Sequence, residues 1–113
     1  MSFDIIILKP EVRGIGSLED IENTENIGAP TVVEGALEKI FPGCIRGAFS
    51  DGESYALEAM YSGDPVESIH LTLRYGSVWS ATAESSFVVK LRDLCMALDS
   101  QAFAVSDNSR IEY

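Results

Sequence analysis

Histidine is almost missing from this chain: His70 is the only one in 113 residues. A metal centre of the common histidine- or cysteine-rich kind needs several such ligands together, and one histidine with two separated cysteines cannot supply them. Any Ser-His-Asp or Cys-His relay would have to recruit His70. That residue alternates with Ile69 and Leu71, so the pattern places it on the open side of a strand. Cysteine is equally scarce. Cys44 and Cys95 allow at most one disulfide, and both read as small buried hydrophobes, with one disulfide as the alternative. No apolar stretch of 18 residues exists, and the N-terminal run Ile5-Ile6-Ile7-Leu8 is preceded by an acid and lacks a basic n-region. The expectation is therefore a cytoplasmic chain, with no membrane partner.

Positive charge is the other shortage. Eight Lys and Arg face 18 Asp and Glu, giving a formal net charge of -10. The basic residues are scattered with acids between them, so no stripe exists to hold phosphates, and nucleic acid is not an expected partner. Acidic mimicry of nucleic acid is a different claim and stays open. The Gly14 and Gly16 pair lacks the Lys-Ser/Thr of a phosphate loop and the third glycine of a dinucleotide fingerprint. Asp51-Gly52-Glu53 is too short for a calcium loop and is explained by turn chemistry. Carboxylates are plentiful, but they fall in turns and on solvated faces, without the defined pair that glycoside chemistry requires. No cofactor is expected.

What is present is a folded domain. Hydrophobic residues make up 46% of the chain, too many for a disordered acidic tail and enough for one domain, residues 1–113, with its own core. Ile5 to Leu8 reads as a central strand buried on both faces. Residues 11–29 are polar and aperiodic: a surface loop with one short helical turn near Leu18-Ile21. Thr31-Val32-Val33-Glu34 has the form of a capping box, followed by Val33, Ala36, Leu37, Ile40 and Phe41 on one helical face and stopped by Pro42-Gly43.

Between Cys44 and Gly76 the period becomes two, with turns at Ser50-Asp51-Gly52-Glu53 and Ser62-Gly63-Asp64-Pro65. This predicts a three-stranded antiparallel meander with one packed face, its first strand starting near Cys44. Phe87, Val88, Leu91, Leu94, Cys95 and Leu98 then mark a second helix, capped by Ser80 or Thr82, and Gln101 to Val105 a last strand. The predicted fold class is α+β, two-layered, β-α-β-β-β-α-β, with two helices on one face of a mostly antiparallel sheet.

Two features bear on function. Glu11, Glu19, Asp20, Glu22 and Glu25 crowd a loop that holds only Arg13 in return. Such a loop is a solvated surface, or else a docking surface whose charge speeds encounter with a basic protein. The aromatics Tyr55, Tyr61 and Tyr75 share phase with core aliphatics, whereas Trp79 follows the Gly76 turn and stands either over the core or at a partner surface. Aromatics beside carboxylates are the anchors that tight interfaces use.

Met1-Ser2-Phe3-Asp4-Ile5, Ile40-Phe41-Pro42-Gly43, Ser68-Ile69-His70-Leu71-Thr72-Leu73 and Ala102-Phe103-Ala104-Val105-Ser106-Asp107 together resemble the small acidic bacterial immunity proteins that neutralise cognate toxins. The resemblance covers most of the chain and rests on pattern without a diagnostic motif. It implies a cytoplasmic, non-enzymatic binding protein that blocks one toxin domain, and it assigns no site residue because immunity proteins share none. The partner-binding residues expected here are Glu19, Asp20, Glu22, Glu25 and Trp79. The alternatives are a structural or regulatory interaction module, homodimeric in one version, and a small-molecule enzyme that would need a pocket around His70 or a buried acid.

Overall fold

A computed structural model describes residues 2–12 and 14–111. Strand β1 (Ser2–Pro10) lies inside the sheet, between β5 (Ser68–Tyr75) and β6 (Gln101–Ala104), antiparallel to both. Beyond β5 come β4 (Tyr55–Ser62) and the short edge strand β3 (Phe49–Asp51). A two-residue strand, β2 (Thr24–Glu25), pairs with the end of β1 at Lys9 and Pro10. The meander β3-β4-β5 follows the alternation in the sequence: Tyr55, Leu57, Ala59, Ile69, Leu71 and Leu73 are buried, while Glu58, Met60, His70, Thr72 and Arg74 face outward.

Helix α1 (Pro30–Ile40) and helix α2 (Ala81–Ala97) cover the buried face, with Val33, Leu37, Phe87, Leu91 and Leu94 in one cluster with Ile5, Ile7, Leu57 and Leu71. Each such aliphatic or aromatic side chain contributes about 1.5–3 kcal/mol on leaving water. The α+β order is the one the periodicities predict, with β2 added. Cys44 and Cys95 are both buried, each 1% exposed, and no disulfide joins them. Burial, and then the Glu38 charge, push the Cys44 thiol up to about 11.

Three expectations change. Thr31 does not cap α1: the cap position is Ala29, which makes no side-chain cap hydrogen bond, and Pro30 opens the helix. Proline tolerates the first helical position because its missing N–H would be unpaired there anyway. Glu34, freed from a capping role, accepts a hydrogen bond from the Tyr61 hydroxyl. That bond is the main reason the Tyr61 pKa is raised. Cys44 sits in the turn after α1, and the strand starts only at Phe49.

Ile5 and Ile7 are fully buried but Ile6 and Leu8 only partly, so β1 is sealed on one face and half-covered on the other. The segment 109–111 folds back along β6 in the plane of the sheet (Ala104 N to Ser109 O, 2.8 Å; Ile111 N to Ala102 O, 2.9 Å). Phe103, which shares register with Ile6, is fully buried there.

Candidate functional site

The acidic loop is an excursion between β1 and β2, tied at its base by the Glu11 amide donating to Asn23 O at 3.0 Å. Its middle is fastened to the C-terminal segment: Leu18 N to Asn108 O is 2.7 Å and Arg110 N to Gly16 O is 2.9 Å. Ser17 then accepts from the Glu19 amide and starts a single 3-10 turn, Leu18–Asp20. With the backbone satisfied in this way, the acidic side chains are left to solvent. Glu11, Asp20 and Glu22, with Val12, Ile15 and Asn23, line an open cavity of about 450 Å³. Glu19 is exposed on the same turn.

Glu25 stands apart from that cavity. It lies on β2 with its carboxylate 3.9 Å from Lys9 Nζ, which is also 3.8 Å from Asp99. Half-exposed pairs of this length contribute about 0–1 kcal/mol, so they mute charge more than they stabilise. Among the described residues no group of three or more His, Cys, Asp or Glu is arranged to hold a metal ion.

Trp79 is placed by the turn after β5. Gly76 N donates to Ser54 O at 2.9 Å and Val78 N to Glu53 O at 3.1 Å, and Ser80 caps α2 through the Ala83 amide. The turn thus presses Trp79 back onto the sheet. Its ring is 4.9 Å from that of Tyr75 and 5.7 Å, edge-on, from that of Tyr55. Trp79 is half-buried and forms a wall of a second cavity, about 360 Å³, with Phe3, Leu73, Tyr75, Glu84, Val88 and Ile111 among the others.

The two cavities share no lining residue: one is built from the loop after Pro10, the other from Phe3, Trp79 and the first turns of α2. The structure therefore brings Asp20 and Glu22 together with Glu11, keeps Glu19 beside them, and sets Glu25 and Trp79 elsewhere. The groove at Trp79 had one hint in the sequence, the shared phase of Leu73 and Tyr75. Phe3, Glu84 and Ile111 come from three distant segments and gave no signal.

His70 lies on the outer face of the sheet, half-exposed, with Nε2 3.4 Å from Asp4 Oδ1. The Thr72 hydroxyl donates to the same oxygen at 3.4 Å. In a nucleophilic relay the histidine stands between hydroxyl and carboxylate. Here the carboxylate stands between the other two, which makes a surface polar cluster together with the Arg74–Glu58 pair at 3.1 Å. No protein-family model, curated protein or solved structure matches this chain. No helix among the described residues is long and apolar enough to cross a membrane.

Proposed function

We propose that this chain is a cytoplasmic, non-enzymatic binding protein of the immunity type, which occludes a basic toxin domain. The observation that carries the reading is the loop of residues 11–23. It presents Glu11, Asp20 and Glu22 to one open cavity, with Glu19 alongside, on a backbone closed at its base between Glu11 and Asn23 and tied to the C-terminal segment. A pre-ordered surface loses little entropy when a partner docks, and the carboxylates steer a basic surface toward it. The overall charge of -10 adds a long-range attraction of the same sign. Trp79 supplies a second contact at the far end of β1, and Glu25 a weaker one because Lys9 lies beside it.

The test is the combined variant Glu19→Lys, Asp20→Lys and Glu22→Lys, all at exposed positions. Association with the partner should slow by roughly tenfold or more at low salt, and the dependence of the on-rate on salt should flatten. An unchanged on-rate and salt slope would remove the docking-loop reading. A second reading, a homodimeric interaction module, draws on the outer sheet face, where Met60 is 74% exposed between Glu58 and Ser62. Sedimentation of the purified chain separates the two, since a dimer that persists without any partner belongs to the second.

A further inference from the structure

The groove beside Trp79 differs from the acidic loop in chemistry. Its walls are aromatic and aliphatic, and among the described residues Glu84 is the only charged one that lines it. Glu84 is exposed in the first turn of α2, and among the described residues its carboxylate has no ion pair and no hydrogen bond. Tyr75 and Trp79 stand 4.9 Å apart, centroid to centroid, at the same groove. Aromatic rings beside an unpaired carboxylate suit one kind of occupant, a planar organic cation. A guanidinium stacks on rings and pairs with carboxylates at once, which an ammonium does less well.

The volume, about 360 Å³, is at the small end of ligand sites and admits one long side chain. Trp79 is also held back by Tyr55 and Tyr75, so it forms a wall and does not protrude. We propose that the Phe3–Tyr75–Trp79–Glu84 groove receives an arginine side chain of the protein partner. The partner supplies the inserted anchor and this chain supplies the pocket. The proposal rests on the basic-partner reading and assigns it a second contact, independent of the loop.

Trp79 is the sole tryptophan, so its emission reports the groove directly. The experiment titrates the full chain with the blocked peptide Ac-Gly-Gly-Arg-Gly-Gly-NH2 and with its citrulline counterpart, which keeps shape and loses charge. The arginine peptide should change Trp79 emission saturably and bind roughly fivefold tighter than the citrulline peptide. Glu84→Gln should bring the two affinities close together, and Glu84→Lys should abolish the arginine response. Equal affinities for both peptides in the native chain would assign the groove to a neutral occupant and overturn the proposal, as would no saturable change up to the solubility limit.

The loop variant Glu19→Lys/Asp20→Lys/Glu22→Lys should still select the arginine peptide over the citrulline peptide, because none of its three residues lines the groove. If the groove fails to select arginine while the loop variant still slows the partner, the groove assignment alone falls. If the groove selects arginine and the loop variant changes nothing, the docking-loop reading falls instead.

Discussion

Tyr55→Phe should stabilise this protein, the reverse of what a core substitution normally does. Tyr55 is 1% exposed, and its ring is packed by Phe49, Trp79 and Phe87 at 6.0, 5.7 and 5.5 Å. Phenylalanine keeps every one of those ring contacts. What it removes is a buried hydroxyl that has no hydrogen-bond partner among the described residues. Leaving such a group unpaired costs about 1–3 kcal/mol, so the variant should gain on the order of 1 kcal/mol. Urea unfolding followed by circular dichroism should show a higher midpoint at an unchanged slope.

The same substitution has a signature in alkali. Burial, and then the Asp51 charge, push the Tyr55 hydroxyl up to about 12 from an ordinary value of 10.0. A group whose pKa is higher in the folded state contributes stability that is intact below its unfolded pKa and is lost as pH rises through its folded one. The native chain should therefore lose stability between about pH 10 and pH 12, by up to roughly 2–3 kcal/mol, and the difference between native and variant should widen across that window. A variant destabilised by about 1 kcal/mol or more at neutral pH would refute the reasoning, because it would mean the hydroxyl is bonded in the folded state.

Three further outcomes follow from the same geometry. Ser80→Ala should cost about 1 kcal/mol by removing the α2 cap, whereas Thr31→Ala should change stability by less than about 0.5 kcal/mol, both read from urea midpoints. Gly76→Ala should cost about 2 kcal/mol or more and shift Trp79 emission, because a Cβ there collides with the Glu53 and Ser54 backbone. Normal stability with native emission would contradict the account of that turn. The buried Cys44 thiol, pushed up to about 11 from 9.0, should resist thiol reagents in the native state and react fully on unfolding, and rapid native labelling would count against its burial.

Most of the fold was legible where one physical signal dominated. Period two in Tyr55–Ala59 and Ile69–Leu73 gave the meander, and period 3.6 in Phe87–Leu94 with a hydroxyl just upstream gave α2 and its cap. The pattern misled where two local signals competed. Thr31 and Glu34 have capping-box spacing, but Pro30 starts α1 two residues earlier than that box would and Tyr61 takes the Glu34 carboxylate. Strand β2 was invisible because two residues, Thr24 and Glu25, carry no period at all.

The pairing of Phe103 with Arg110 was equally unreadable, since it brings irregular chain near residues 109–111 against β6. In the acidic loop, composition located the charge, and tertiary pairing decided which carboxylates share a cavity. Glu25 drops out because β2 sets it against Lys9, a contact from the far end of β1. Trp79 could be placed only by the Gly76 turn and the two tyrosines around it.

The central claim is that this chain binds a basic protein through its acidic loop. The most direct measurement is affinity capture from the native cells at low and high salt, with the tagged native chain and the Glu19→Lys/Asp20→Lys/Glu22→Lys variant side by side, and identification of what is retained by mass spectrometry. The account predicts a basic toxin domain held by the native chain at low salt, weakened by salt and lost from the variant. Recovery of the chain alone, or equal recovery of one partner by both proteins at both salts, would contradict it.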